Sequence, residues 1–354
     1  MSKFYSIKIK EVKKETSDCV SIAFDIPNEL KNEFQFKPGQ HITTKAIIDG
    51  QDIRRSYSLC TSPNEQDFRV AIKQIENGVF SAFANHSVNT GDTMEIMPPT
   101  GHFFIDINAN NANKYVGFAG GSGITPIMSI IKTVLEEEPN SSFTLIYANR
   151  DEASIIFNEA FKALQSKYAT RLAIHHVLEQ GNVANEDFSG YLSEYKIKKY
   201  DGTIFNKDAV AEFFLCGPAP MLDIVKGGLE KINIPEAKIK LELFTAAIPE
   251  TNTGDNEGHE IVDSEVTVIV DGDEFTFTLN SDQSILDAAQ NEDIDVPFAC
   301  KGGVCGTCKA KVEEGEVRMD ANYALEPEEL ENNYVLTCQS HPVSKQVLID
   351  YDVI

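Results

Sequence analysis

The chain has 354 residues, 42% of them hydrophobic, and a formal net charge of −24. That length supports two or three domains with cores of their own, and the acidity excludes nucleic acid and anionic membrane surfaces as partners. No run approaches the roughly 20 apolar residues that span a bilayer, and the alternating start lacks an apolar leader core, so a cytoplasmic protein without membrane contact is expected.

In chain order the pattern predicts four segments: 1–108, 109–248, a linker over 249–261, and 262–354. From Tyr5 to Ile107 short alternating runs such as Ser21–Asp25 and Phe68–Lys73 are separated by turn residues, among them Lys37-Pro-Gly-Gln40. This is the pattern of an antiparallel barrel or sandwich. Arg55-Ser56-Tyr57-Ser58 lies within it on a strand, whose alternation projects Arg55 and Tyr57 to one face. Gly78-Val79-Phe80-Ser81 reads as a turn into a helix, and Pro99-Thr-Gly-His-Phe103 closes the segment. Arg54 and Arg69 are further cations to which the pattern assigns no role.

From Lys114 strands alternate with helices, which argues for an α/β domain on a parallel sheet. Tyr115–Ala119 is a continuous apolar run, as a strand buried on both faces requires. It leads into Gly120-Gly121-Ser122-Gly123-Ile124-Thr125-Pro126, with Thr125 expected as the N-cap and Pro126 as the first residue of a helix running to about Glu138. Glycines at a helix's positive end let backbone approach a dinucleotide pyrophosphate. The next strand, Phe143–Ala148, ends at Asn149 and Arg150, a position suited to an adenosine ribose. Arg150 pairs there with a 2′-phosphate, slightly favouring NADPH over NADH, or is simply solvated. Glu212–Pro218 is a buried strand ending in Cys216-Gly217-Pro218, followed by a helix with Met221. A strand-end cysteine of this kind is commonly inert packing, and the same reading applies to Cys19 and Cys60. Lys238–Phe244 is a further strand.

Pro249–Glu260 is polar and without periodicity, as flexible linkers are. Val266–Val270 and Glu274–Leu279 form a hairpin around Asp271-Gly-Asp, Ser284–Gln290 is a short helix, and Val335–Cys338 a late strand. Between them Cys300, Cys305 and Cys308 stand at C-x4-C-x2-C spacing, and Cys338 follows after twenty-nine intervening residues. That is the plant-type spacing for a [2Fe–2S] cluster held by four thiolates. Gly302, Gly303 and Gly306 let the loop wrap the cluster and aim N–H groups at its sulfurs. A disulfide framework is disfavoured without an export signal, and structural zinc favours paired C-x2-C arms or Cys/His sets.

With these motifs in place, residues 262–354 resemble a plant-type ferredoxin, a β-grasp domain. What precedes them resembles the ferredoxin–NADP reductase family, and the whole is similar to the reductase components of bacterial oxygenases. The resemblance implies a flavin barrel in which Arg55, Ser56, Tyr57 and Ser58 match an R-x-Y-S signature. Arg55 then meets the FAD pyrophosphate, Tyr57 packs on the flavin ring and Ser58 lies near the flavin N5. Ile72, Lys73, Gly78, Val79 and Ser81 complete the FAD contacts. Gly121, Ser122, Gly123, Thr125 and Pro126 match the family's G-x-G-x-x-P loop, which departs from the dehydrogenase G-x-G-x-x-G and binds NAD(P)H together with Asn149 and Arg150. Cys216, Gly217, Pro218 and Met221 flank the nicotinamide, and Glu242 and Phe244 face the flavin, Phe244 stacking over it. Ser58, Cys216, Glu242 and Phe244 are the implied catalytic residues.

Nicotinamide cofactors release two electrons as hydride and a [2Fe–2S] cluster takes one at a time; a flavin exchanges both ways. The three sites together imply a reductase that passes electrons from NAD(P)H through FAD and the cluster to an oxygenase. Residues 262–354 carry twenty Asp/Glu against five Lys/Arg, a balance of −15, so the oxygenase is expected to offer a basic docking surface. The segments Asn322–Leu330 and Tyr334–Pro342 look most like those of reductases serving diiron oxygenases. The alternatives are a reductase for a Rieske-type dioxygenase or another hydroxylase, and a non-catalytic redox sensor that binds a partner according to cluster state.

Overall fold

The computed structural model describes residues 3–181, 185–244, 263–279 and 283–353. The expected linker, 249–261, lies outside them. The chain divides into two compact units: one holds Tyr5–Ile53 with Tyr57–Phe244, the other Lys3 and Phe4, Arg54–Ser56 and the described residues from Asp263 onward.

The first sheet has six strands, β1 (Tyr5–Thr16), β2 (Cys19–Asp25), β3 (His41–Ile48), β4 (Gln51–Ser58), β5 (Phe68–Lys73) and β6 (Thr93–Ile96), in the order β4-β3-β6-β1-β2-β5. Alternation puts Ile7, Ile9, Val20, Ile22, Ile42, Val70 and Ile72 on the inner face, where they pack with Phe24, Phe34 and Phe80. The antiparallel bridge between Leu59, just past β4, and Val70 of β5 joins the outer strands, and Cys60 N–H donates to the Arg69 carbonyl at 2.9 Å. The sheet thereby closes, which removes its edges. One helix, α1 (Val79–His86), begins after Gly78.

The second sheet is parallel: β7 (Lys114–Gly120), β8 (Ser142–Asn149), β9 (Leu172–Leu178), β10 (Val210–Gly217) and β11 (Ile239–Leu243), in the order β11-β10-β7-β8-β9. The chain winds outward from β7 to β9, then returns to the other side of β7 for β10 and β11. The topological switch point therefore lies between β7 and β10, the place where open α/β sheets bind ligands. Connections run through α2 (Ile124–Glu137), α3 (Asn158–Lys167), α4 (Glu194–Tyr200) and α5 (Ala219–Lys231). A core of Ile127, Ile131, Phe143, Leu145 and Phe214 on one side of the sheet, and of Phe118, Ile146, Phe213, Val225 and Leu229 on the other, accounts for the unbroken apolar strands. The helix after β7 starts earlier than expected. Gly121–Gly123 forms a 3-10 turn, Gly123 is the N-cap, and Thr125 and Pro126 already lie within the first helical turn, Thr125 Oγ1 bonding the Ser122 carbonyl at 3.0 Å.

In the unit from Asp263 onward, β12 (Ser264–Val270) and β13 (Asp273–Leu279) form a hairpin. Its tip, Asp271 and Gly272, has φ of 53° and 84°, the left-handed pair of a type I′ turn. Helix α6 (Ile285–Asn291) is capped by the Ser284 hydroxyl, which accepts from Asp287 N–H at 3.1 Å. Then come β14 (Lys309–Glu314), β15 (Val317–Met319), α7 (Pro327–Glu331), β16 (Tyr334–Leu336), β17 (Ser340–Pro342) and β18 (Gln346–Asp350). The sheet order is β13-β12-β18-β14-β16, with β12 and β18 parallel and β15 paired separately to β17. α6 packs on this sheet through Ile285, Leu286 and Ala289. The late strand is shorter than Val335–Cys338: it stops at Leu336, and a 3-10 turn, Thr337–Gln339, carries Cys338.

Candidate flavin, nucleotide and iron–sulfur sites

β10 and β11 run in parallel register with Cys216 opposite Glu242. Ser58, the last residue of β4 and 3% exposed, donates its hydroxyl to Glu242 Oε2 at 3.2 Å; Cys216 Sγ lies 3.9 Å from the same oxygen. Three of the expected catalytic residues thus converge on one carboxyl group. A fourth side chain joins them unforeseen: His41 Nδ1 stands 3.9 Å from Glu242 Oε1. His41 opens β3 directly after the Lys37–Gln40 turn, and Gly101, at φ +112°, leaves room for its ring, since a Cβ there would lie 2.7 Å from Nδ1. Phe244 does not enter the group; it lies past the end of β11 with 37% of its surface exposed.

Burial pushes the Glu242 carboxyl up to about 8, against the opposing hydrogen bonds from Ser58 and Cys216. Burial first, then the Glu242 charge, pushes the Cys216 thiol well above its usual range. At neutral pH the cluster is a protonated acid, a thiol and a hydroxyl, a set that holds and exchanges protons without burying charge.

Elsewhere on the barrel, the Tyr57 ring packs 5.7 Å from Phe80 of α1. A Cβ on Gly78 would lie 2.4 Å from Ser81 Oγ and from Ile75, so glycine keeps the start of α1 open. Ser81 itself is spent on this turn: it accepts from Ile75 N–H at 3.2 Å and donates to the Gly78 carbonyl at 3.1 Å. Val79 is exposed, Ile72 is buried, and Lys73 at the end of β5 has Nζ 3.8 Å from Asp18. Arg69 is absorbed by Asp67, Glu11 and Ser21.

At the switch point, the loop 120–123 and the segment 216–221 are packed backbone to backbone. A Cβ on Gly123 would sit 2.2 Å from the Cys216 carbonyl oxygen, and one on Gly217 would sit 2.9 Å from Gly120 N and 2.7 Å from the Met221 methyl. These glycines hold the two loops together, so Gly121, Ser122 and Gly123 share one crevice with Cys216, Gly217, Pro218 and Met221. Asn149, at the end of β8, is buried; its amide neighbours the Tyr147 hydroxyl, and neither amide atom makes a well-aligned hydrogen bond among the described residues. An orphaned buried amide at the mouth of a nucleotide crevice is explained by a ligand that satisfies it. Arg150 is exposed and bonded through Nε to Asp151 at 3.0 Å.

In the other unit, all four motif cysteines are free thiols, as are Cys19, Cys60 and Cys216. Cys305, Cys308 and Cys338 are buried and Cys300 partly so. Among the described residues no three His, Cys, Asp or Glu side chains converge on one ion. Instead the thiols approach in twos. Cys300 lies within interaction distance of Cys305, and Cys308 of Cys338. Two pairs, not one tetrad, are what a two-iron cluster needs, because each iron takes two of the four thiolates. Gly302 N–H donates to Cys300 Sγ at 3.3 Å, and Gln339 Nε2 lies 3.6 Å from Cys338 Sγ. Gly303 and Gly306 adopt left-handed φ of 73° and 66°; Lys301 does so as well, and Gly302 does not. Within this unit Arg54 is buried, 2.8 Å from Asp295 and 4.2 Å over the Phe298 ring, while the exposed Arg55 donates to the Arg54 carbonyl at 2.7 Å.

Three family models match the chain in sequence: an oxidoreductase FAD-binding domain over residues 6–105, an oxidoreductase NAD-binding domain over 118–227, and a 2Fe-2S iron-sulfur cluster binding domain over 268–343. The chain is 40% identical over 353 residues to a component of the 1,2-phenylacetyl-CoA epoxidase of Escherichia coli, covering 99% of each chain. It belongs to the FAD- and [2Fe–2S]-containing reductase components of multicomponent oxygenases. The oxygenase reductases it resembles also include the ferredoxin reductase component of the 3-ketosteroid-9-alpha-monooxygenase of Rhodococcus rhodochrous, 33% identical over 98% of this chain and 96% of that one. Among solved structures, phthalate dioxygenase reductase superposes with a TM-score of 0.60 at 25% identity over 98% of both chains.

An oxygenase reductase of this family works with FAD, a [2Fe–2S] cluster and NAD(P)H, and the side chains present fit all three. The paired cysteines suit the cluster, the orphaned Asn149 and the glycine crevice suit a dinucleotide, and the neutral group around Glu242 suits a redox ring that exchanges protons. His41 escaped the sequence reading, although the turn that aims it, Lys37-Pro-Gly-Gln40, was visible there. No helix among the described residues is long and apolar enough to cross a membrane.

Proposed function

We propose that this reductase draws electrons from NAD(P)H and delivers them singly to the diiron oxygenase of a phenylacetyl-CoA epoxidase, in the cytoplasm, during aerobic phenylacetate breakdown. The convergence of Ser58, from the barrel, with Cys216 and Glu242, from the parallel sheet, carries the reading. A hydroxyl, a thiol and a protonated acid meet where a nicotinamide held at the switch point would face a flavin held by the barrel. When bound, the flavin accepts a hydride and releases electrons one at a time.

In this reading Arg55, Ser56, Tyr57, Ser58, Ile72, Lys73, Gly78, Val79 and Ser81 hold the FAD. Gly121, Ser122, Gly123, Thr125, Pro126, Asn149, Arg150, Gly217, Pro218 and Met221 hold the nicotinamide dinucleotide, with NADPH slightly favoured by Arg150. Cys216 orients the nicotinamide, Ser58 and Glu242 hold a proton beside the reacting edge, and Phe244 covers the ring until nicotinamide arrives. Cys300, Cys305, Cys308 and Cys338 ligate the irons. The functional segments are 1–108 for FAD, 109–248 for NAD(P)H, the linker 249–261, and 262–354 for the cluster, whose −15 balance suits a basic surface on the oxygenase.

Similarity to the ketosteroid monooxygenase reductase component supports a second reading, in which another hydroxylase receives the electrons. Reconstitution decides. The purified reductase, given NADPH, should support epoxidation of phenylacetyl-CoA by the diiron oxygenase at least about tenfold faster than an unrelated reductase at equal concentration. Equal rates would discard the proposed partner.

A further inference from the structure

Tyr147, in β8, is fully buried, and a sequence pattern shows it only as a core aromatic. Its ring packs against Phe161 and His176, its hydroxyl donates to the Gly121 carbonyl at 2.9 Å, and the Asn149 amide is a further polar neighbour of that hydroxyl. Burial pushes the phenol far above its usual range, so it stays a donor at every working pH. The same Gly121 carbonyl accepts from Ile124 N–H, the first helical residue of α2. Gly121 has φ of +52°, a conformation that the chain between β7 and α2 must be held in.

The geometry of the peptide bond gives that clamp a consequence. In a trans peptide the carbonyl and the next N–H point in opposite directions. With the Gly121 carbonyl drawn inward to Tyr147, the Ser122 N–H is turned the opposite way.

We infer that Tyr147 is the positioning residue of the pyrophosphate cradle, fixing the Gly121–Ser122 peptide so that its N–H meets the pyrophosphate of NAD(P)H. This rests on the reading of the loop as the dinucleotide site. It adds to it a clamp that never touches the ligand.

The test uses the FAD- and cluster-loaded protein, titrated calorimetrically with NAD⁺, NADP⁺ and ADP-ribose, alongside steady-state kinetics. Tyr147→Phe removes only the hydroxyl. It should weaken all three ligands by a similar factor of about five, the worth of one hydrogen bond, and raise KM with kcat and flavin content unchanged. ADP-ribose carries the pyrophosphate but no nicotinamide, and AMP carries the adenosine ribose without the pyrophosphate, so a loss shared by ADP-ribose and spared for AMP locates the effect. Affinities within twofold of wild type in Tyr147→Phe, or a loss of flavin and kcat together with affinity, would overturn the inference. Failure of the wild-type protein to bind any of the three would instead refute the dinucleotide reading itself.

Discussion

Glu242 is the residue on which the proposed redox chemistry turns, because its protonation state changes within the working pH range. Its carboxyl titrates at about 8 in the folded chain, above the ordinary 4.5. The folded state therefore keeps a proton that the unfolded chain has lost, and the stability this proton confers is full below about pH 4.5 and lost as pH rises through 8. Glu242→Gln, a permanent mimic of the protonated acid, should gain on wild type as pH rises from 5 to 9, by about 3 °C or more in melting temperature. Parallel melting curves for the two proteins across that range would contradict a buried, titrating Glu242. At this scale the sequence was most legible where chemistry depends on local spacing: the four cysteines announce a cluster because three of them share one loop. His41 and Tyr147 were illegible for the opposite reason. Their meaning comes from partners far along the chain, Glu242 and Gly121, and nothing in their own neighbourhoods distinguishes them from core residues.

Among the elements, the loop between β7 and α2 shows how little room the crevice has. Gly123→Ala would place a methyl 2.2 Å from the Cys216 carbonyl oxygen and 2.6 Å from Gly217 N, both backbone atoms that move only if β10 moves. Such overpacking costs about 1–3 kcal/mol. Gly123→Ala should lower the melting temperature by about 3–10 °C and raise KM for NAD(P)H. A fully stable Gly123→Ala protein with unchanged KM would show that the two loops are not packed as described. Strands and helices themselves were readable from periodicity, because each buries a defined face. Their ends were not. Thr125-Pro126 has the chemistry of a helix start, but the preceding glycines turn as a 3-10 segment and let the helix begin at Ile124. The strand before Cys338 ends early because Thr337 N–H and hydroxyl both bond the Cys308 carbonyl, which folds the chain into a turn.

For the whole molecule, the three sheets correspond to three tasks: a closed barrel for a flavin, a parallel sheet for a dinucleotide, and a mixed sheet that carries four thiols in two pairs. Fold class was legible throughout, since alternating, continuous and cysteine-punctuated segments follow one another without overlap. The central claim is that electrons move in series, from nicotinamide to flavin to cluster. Cys305→Ser, which removes one ligand from the Cys300–Cys305 pair, tests it most directly when titrated anaerobically with NADPH beside the wild type. The series order expects flavin absorbance to bleach at the wild-type rate, within about twofold, while the [2Fe–2S] absorption and the electron paramagnetic resonance signal of its reduced form are absent. Loss of flavin reduction in Cys305→Ser would contradict it.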